Sequence, residues 1–270
     1  MKSSKYFFLT VIMVLVANFA SAQEGVFKYD TKKCKYTQIV PADNQWTKTS
    51  KKGYTPTSEN ALMYQKAEKC SGWYIQPGVF GAFTQANHQV ANGSYQKKNE
   101  FSARGEIVIG YDFCFGHKDG DHPRNFAMSV EAKVQMTKMP NLVYEDYIYI
   151  KDGYVPTVGA NVVLQFSKHK PYQIALFGGA GYTRVTSYYP EANAKAIDRL
   201  RHNTFSFEGG AQCLWRTKLG QSIGIKAGYE HVKDNKLGRG QVFVGVVYKF
   251  KKVHKSHKMT YRDYYLSTQK

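Results

Sequence analysis

The chain has 270 residues, a formal net charge of +18 and an aromatic content of 15%. After residue 22 no apolar run approaches the roughly 18 residues of a transmembrane helix, so a mature chain that crosses a membrane must do so with strands. For an exported basic protein, nucleic acid is a poor default partner. The charge instead favours outer-membrane lipid headgroups and lipopolysaccharide phosphates, with a basic solvated surface as the alternative.

The first 22 residues have the pattern of a secretory signal peptide. Lys2 and Lys5 precede an apolar stretch from Tyr6 to Ala17, and a small-residue cleavage motif ends at Ala22. Removal of residues 1–22 would lower the formal charge from +18 to +16, because two lysines leave with the signal. Export also places the mature chain in a compartment where disulfides form.

Residues 23–71 are polar and rich in lysine, and they predict a periplasmic extension. Cys34 and Cys70 both lie in this segment. A disulfide between them would close a loop of about 35 residues and contribute a few kcal/mol. Cys114 and Cys213 fall on opposite faces of predicted strands, so both are expected to be unpaired.

Eight segments between residues 72 and 250 alternate apolar and polar side chains, which predicts β-strands. In 128–137 every even position is apolar and every odd position is polar. A transmembrane strand needs about 9 to 11 residues. The strands are predicted at 72–84, 103–115, 125–137, 156–167, 171–184, 204–216, 221–232 and 240–250. The fold class is therefore all-β, an eight-stranded antiparallel transmembrane β-barrel with an N-terminal extension.

One face of these strands is bulky and apolar, whereas the other carries charges and glycines. A narrow eight-stranded barrel has room inside only for interlocking side chains, so the charged face is assigned to the lumen and the apolar face to lipid. A soluble barrel of the lipocalin kind would reverse this assignment. The predicted lumen charges are Arg104, Glu106, Glu131, Lys133, Glu208, Lys226 and Glu230. We interpret them as structural ion pairs rather than as catalysts or a proton path.

The connections between the predicted strands are about 18, 9, 18, 3, 19, 4 and 7 residues long, so long and short connections alternate. Outer-membrane barrels have long external loops and short periplasmic turns. The alternation predicts that both termini of the mature chain are periplasmic. The segment 251–270 would then be a basic periplasmic tail, partly disordered, in contact with lipid or a periplasmic partner.

The last predicted strand, with Tyr248 and Phe250 near its end, is similar to the closing strand of small bacterial outer-membrane β-barrels of the OmpA-like and OmpW-like kind. This resemblance implies that Tyr248 and Phe250 act as an insertion signal for the barrel insertion machinery. The chain departs from the pattern because it continues for twenty residues past Phe250.

The region from about 149 to 250 also resembles the conjugal transfer TraO family of Bacteroidota. The similar features are the Gly-rich stretch 177–182, the pair Asp198 and Arg199, the segment 205–210 and the closing segment 243–250. The resemblance implies a cell-envelope component of a conjugative apparatus with protein partners. The extension and the tail lie outside the similar region.

No catalytic, cofactor-binding or metal site is predicted. The histidines and aspartates between His117 and His122 are explained by turn chemistry, and His254 and His257 in a basic tail do not form a site. We expect a non-enzymatic outer-membrane scaffold or binding protein in a Gram-negative cell envelope. A narrow channel or carrier for a small or apolar ligand is the alternative, and a secreted soluble ligand-binding barrel is a third possibility.

Overall fold

The computed structural model describes residues 28–30, 35–50, 53–89, 95–115, 126–139, 142–144, 147–150, 153–166, 172–190, 197–233 and 239–268. The predicted signal peptide and Cys34 lie outside these residues. The strands are β1 Lys28–Asp30, β2 Lys35–Pro41, β3 Trp46–Ser50, β4 Gly53–Pro56, β5 Leu62–Lys69, β6 Gly72–Gln89, β7 Tyr95–Cys114, β8 Phe126–Met139, β9 Leu142–Tyr144, β10 Tyr147–Ile150, β11 Gly153–Phe166, β12 Tyr172–Pro190, β13 Ile197–Lys218, β14 Gln221–Val232, β15 Arg239–Lys251 and β16 His254–Thr260. One helix, α1, spans Tyr261–Thr268.

Eight of these strands close into a barrel in the order β11-β12-β13-β14-β15-β6-β7-β8. Each of these strands pairs with the barrel strand that comes next in the sequence, and β15 pairs with β6 to close the ring. The pairings of β11 with β12 and β8, of β12 with β13, and of β7 with β6 and β8 are antiparallel, as is the closing pairing of β15 with β6, in which Val242 pairs with Phe83. The predicted eight-stranded antiparallel β-barrel is confirmed.

Several barrel strands are longer than the alternation predicts. β6 and β7 pair as far as Gln89 and Tyr95, so much of the predicted first long loop is a hairpin. In the same way β12 and β13 pair as far as Pro190 and Ile197. The sequence of these extensions is rich in polar residues at both even and odd positions. Apolar alternation therefore stops before the hydrogen-bonded pairing does.

The extension and the tail, which were predicted as two separate segments, form one compact unit. It comprises the described residues up to Cys70, the turn segment Arg216–Ser222 and the residues from Lys252 onward, and we call it the accessory unit. Its main sheet has the order β1-β2-β5-β16, so the tail supplies an edge strand beside β5. The tail had been predicted to be partly disordered, and pairing of β16 with β5 supplies the backbone partners that a free basic segment lacks.

Local hydrogen bonds fix the ends of these elements in the accessory unit. The Trp46 indole N–H donates to the Leu62 carbonyl at 2.8 Å, and the Asp43 carboxylate accepts from the Leu62 amide at 2.9 Å. The Thr260 hydroxyl oxygen accepts from the Asp263 amide at 3.2 Å, which is an N-cap for α1. Over the described stretches of chain, helices with the length and apolarity needed to span a bilayer are not found.

The predicted disulfide between Cys34 and Cys70 is wrong. Cys70 and Cys114 are each disulfide-bonded and form one bridge, so neither is available to another thiol. The expectation that Cys114 is unpaired is wrong for the same reason, whereas Cys213 is a free cysteine as predicted. Proximity in sequence favoured Cys34, but strand pairing decides which cysteines meet: Cys114 ends β7 and its amide bonds the Ser71 hydroxyl at 3.0 Å.

Candidate functional site

The outer face of the barrel is apolar over the whole central part of its strands. On β8 the outward side chains from Phe126 to Met136 are apolar over an eleven-residue span, and the next outward residue is Lys138. That span matches the 9 to 11 residues that a tilted strand needs to cross a bilayer. Large apolar side chains are exposed on every barrel strand, among them Ile75, Ile107, Val134, Val162, Leu176, Phe207, Ile225 and Val244.

Aromatic rings cluster near both ends of this apolar belt. At the end where the chain enters the barrel, Trp73 contacts Tyr111 edge-on with ring centroids 5.2 Å apart, and Phe115 stacks on Phe126 at 6.2 Å. At the opposite end Tyr182 and Phe205 pair at 5.8 Å. Aromatic girdles at both interfaces are typical of transmembrane β-barrels.

The lumen holds as many acidic as basic side chains among the buried residues of the barrel. These are Glu106, Asp112, Glu131, Glu208 and Glu230, with Arg104, Lys133, Lys226, Arg239 and Lys249. All seven predicted lumen charges are in this set. Their formal charges cancel, which is the condition for burying them at tolerable cost.

Arg104 bridges the full width of the barrel. It lies on β7, and its guanidinium donates to the Glu208 carboxylate on β13 at 2.8 Å. The two strands stand four places apart in the ring of eight, which is the maximum separation. The same guanidinium contacts Glu106 at 3.1 Å and Glu230 at 3.4 Å. At this level opposite walls touch through two side chains.

The lysines of the lumen extend this network. Lys133 contacts Glu208 at 2.6 Å, and Lys226 contacts Glu106 at 2.5 Å. Gln135 on β8 donates to Glu230 on β14 at 2.9 Å, which is a second direct bridge between opposite strands. The carboxylate of Glu131 accepts from the Tyr74 hydroxyl at 2.5 Å. Each predicted lumen charge therefore has a polar partner inside the barrel.

A second charged cluster, which sequence reasoning did not single out, forms around Asp112. The Asp112 carboxylate accepts from the ammonium groups of Lys249 at 3.1 Å and Lys251 at 2.8 Å. It also accepts from Ser129 at 2.6 Å and Gln165 at 2.8 Å. Asp112 and Lys249 lie on the polar phase of their strands, which is the face that the alternation assigns to the lumen, although they are not among the seven predicted lumen charges.

Three phenylalanines also point into the lumen, contrary to a purely polar interior. Phe80 meets Phe243 edge-on at 5.5 Å, and Phe177 lies 6.3 Å from Phe243. The Arg104 guanidinium sits 3.8 Å from the Phe243 ring centroid, and the Lys226 ammonium sits 4.5 Å from that of Phe177. Such cation–π contacts stabilise a desolvated cation by up to about 2 kcal/mol.

Glycines make the space for these inward rings. A Cβ at residue 228 would lie 2.8 Å from the Phe243 ring and 2.9 Å from the Phe177 ring. A Cβ at residue 245 would lie 2.6 Å from the Phe80 ring. The glycines on the charged phase of β14 and β15 thus accommodate aromatic rings from other strands. On their strands, Phe80 lies on the same face as Gln76, and Phe243 lies on the same face as Gln241. This position on the polar face was the signal in the sequence that both rings point into the lumen.

The proposed insertion-signal residues lie on the barrel surface at the end of β15. Phe250 is exposed and Tyr248 is half-buried, and their ring centroids are 4.4 Å apart. In the described part of the chain, three or more His, Cys, Asp or Glu side chains do not converge in a group that could hold a metal ion. The arrangement of the lumen serves to pair charges and close the barrel.

No protein-family model matches the chain, and no curated protein matches it. Solved structures with a similar fold include Neisserial surface protein A, with 13% identity, a TM-score of 0.44, and coverage of 67% of this chain and 98% of that chain. The attachment invasion locus protein Ail of Yersinia pestis has 14% identity, a TM-score of 0.38, and coverage of 66% and 99%. The N-terminal β-barrel domain of Pseudomonas aeruginosa OprF has 12% identity, a TM-score of 0.34, and coverage of 67% and 99%.

Replacing Arg104 with alanine should destabilise the barrel by about 3–5 kcal/mol, because Glu106, Glu208 and Glu230 would keep their buried charges without their shared cation. Urea unfolding in lipid vesicles measures the change. Arg184→Ala is the matched control, since Arg184 is exposed on β12 and should change the free energy of unfolding by less than about 0.5 kcal/mol. Equal stabilities of the two variants would contradict the cross-lumen network.

Proposed function

We propose that this chain is a non-enzymatic outer-membrane β-barrel that acts as a closed membrane scaffold or binding protein. The observation that carries the proposal is the polarity of the barrel: bulky apolar side chains cover the outside, and ten charged side chains are buried inside. In water this distribution would leave the apolar belt exposed to solvent while the charges stay buried. In a bilayer the same distribution is favourable.

The closed lumen favours a scaffold over a channel. Arg104 and Glu208 join opposite walls at 2.8 Å, and the layer of Phe80, Phe177 and Phe243 fills the space beside them. A solute would have to displace buried ion pairs in order to pass. Function is therefore assigned to surfaces outside the lumen, namely the loops and the accessory unit.

We propose a periplasmic location for both ends of the mature chain. An even number of antiparallel strands starts and finishes at the same end of a barrel, and Lys251 of β15 indeed pairs with Tyr74 of β6. At this end β13 and β14 are joined by a two-residue turn, where Gly220 has a φ of 77°, whereas at the other end the β6–β7 and β12–β13 hairpins extend beyond their predicted lengths. Short turns are periplasmic in outer-membrane barrels. The proposed partners are outer-membrane lipid, lipopolysaccharide and the insertion machinery that would read Tyr248 and Phe250.

Val130→Arg tests the membrane assignment. Val130 is exposed in the middle of the apolar belt on β8. An arginine there should therefore destabilise the folded barrel in a bilayer by about 2–4 kcal/mol. The control is Lys138→Arg at the end of the same strand, which keeps a charge where one already exists. The wild-type protein should also fractionate with the outer membrane and show heat-modifiable gel mobility. Recovery of folded wild-type protein from the soluble periplasm would reject the proposal.

Planar-bilayer recording tests the scaffold against a channel or carrier. The purified wild-type barrel should give no discrete conductance steps, because side chains bridge its lumen. A general porin recorded in the same bilayers serves as the positive control. Reproducible steps from the wild-type protein would favour the channel, and the scaffold proposal would then fail.

A narrower form of the proposal makes the chain a component of a conjugative transfer apparatus. It rests on the resemblance of the region 149–250 to the TraO family. This region lies within the barrel and includes the closing strand. Deletion of the gene from a donor strain should lower the transfer frequency, with restoration by the gene supplied in trans. Unchanged transfer would remove this role and leave the scaffold proposal intact.

A further inference from the structure

An open surface pocket of about 360 Å³ in the accessory unit is lined by three lysines, of which Lys218 and Lys255 are exposed. Lys66, Lys218 and Lys255 reach it together with the carboxamides of Gln38 and Gln221, and Leu219 and Val253 supply its apolar surface. We call it the lysine pocket. Its volume falls within the range of small-molecule sites. Among the described residues that line it, none is a carboxylate.

Strand register places three of these side chains in one row. Lys66 of β5 pairs directly with Gln38 of β2 on one side and with Lys255 of β16 on the other. Directly opposed residues of antiparallel strands point to the same face of the sheet. The row is therefore set by backbone pairing and does not depend on the reach of flexible side chains.

The pairing of Lys66 with Lys255 is unfavourable by itself. Like charges directly opposite each other destabilise a sheet, whereas opposite charges stabilise it. An anion bound between the two ammonium groups would convert this repulsion into attraction. The cross-strand lysine pair therefore favours a negative charge bound in the pocket.

The nearest acidic side chain on the same face of β5 is already engaged. Glu68 is buried, and its carboxylate accepts from the Arg216 guanidinium at 2.5 Å and from the Gly220 amide at 2.7 Å. These contacts hold the turn Arg216–Ser222 against β5 and so bring Lys218 and Gln221 to the pocket. Glu68 thus positions Lys218, and its own negative charge is paired with Arg216.

We propose that the lysine pocket binds a phosphate-bearing anion. Three ammonium groups offer N–H donors around a site of positive charge, and phosphate oxygens accept several such bonds at once. The apolar surface of Leu219 and Val253 would contact the carbon skeleton that carries the phosphate. The same chemistry belongs to an anionic phospholipid headgroup and to a soluble phosphate ester. This inference does not depend on the membrane assignment of the barrel.

The test uses the full chain in nanodiscs of neutral phosphatidylcholine. Glycerol 3-phosphate is titrated by calorimetry, and a second set of discs contains phosphatidylglycerol. Binding of glycerol 3-phosphate supports a soluble ester as the ligand. Stabilisation by phosphatidylglycerol, reversed by the Lys66→Gln variant, supports a lipid headgroup. Absence of both effects would overturn the proposal.

Matched variants locate the site. Lys66→Gln should weaken binding about tenfold, the equivalent of one charge-assisted hydrogen bond. Lys69→Gln is the control, because Lys69 lies on the same strand but faces the other side of the sheet. Equal weakening of phosphate binding by both variants would show that the anion is attracted by the overall positive charge. That result would overturn the proposal of a defined pocket.

Lys255→Glu separates binding from folding. Placing a carboxylate opposite Lys66 should abolish phosphate binding and, without any ligand, increase the hydrogen-exchange protection of β5 and β16. Loss of the site alone would abolish phosphate binding and raise the hydrogen-exchange protection. Loss of structure would lower both. Unchanged phosphate affinity in this variant would overturn the proposal.

Discussion

The ion pair between Arg104 and Glu208 is the contact on which the barrel interior depends. It joins opposite strands at 2.8 Å, and the Arg104 guanidinium also serves Glu106 and Glu230. Two ions taken out of water cost several kcal/mol each, and only close pairing with further hydrogen bonds offsets this cost. The equal numbers of buried acids and bases follow from that constraint. So does the contact between opposite walls of the barrel, since these charges must touch in order to pair.

The balanced lumen also explains where the basic character of the chain resides. The ten buried charges of the barrel cancel, so they contribute nothing to the formal charge of +18. The positive excess must lie on the surface, the loops and the accessory unit. In the accessory unit, Lys66 and Lys255 stand opposite each other in the sheet. The proposed phosphate ligand would compensate the repulsion between them.

The barrel was predictable because its two faces meet different surroundings. Glu131 and Lys133 alternate with Val130, Ala132 and Val134, and this alternation alone assigns one side to the interior and one to the exterior. What could not be predicted involves partners that are distant in sequence. Phe243 points inward because Gly228 on β14 leaves room for its ring, and Cys70 bonds Cys114 because pairing of β6 with β7 brings their neighbours together. Alternation reports which face a residue occupies, but not which residue lies across from it.

The order of the elements along the chain has a consequence for how the molecule forms. The first barrel strand, β6, directly follows β5, and the last, β15, is directly followed by β16. Because β5 pairs with β16, the sheet of the accessory unit is completed only by residues that come after the barrel in the sequence. Contacts with such a large sequence separation form late, since the loop between them must be closed first. Tyr248 and Phe250 lie in β15, the strand that closes the barrel, and β16, which completes the accessory sheet, follows directly. The barrel and the accessory sheet are therefore expected to close together.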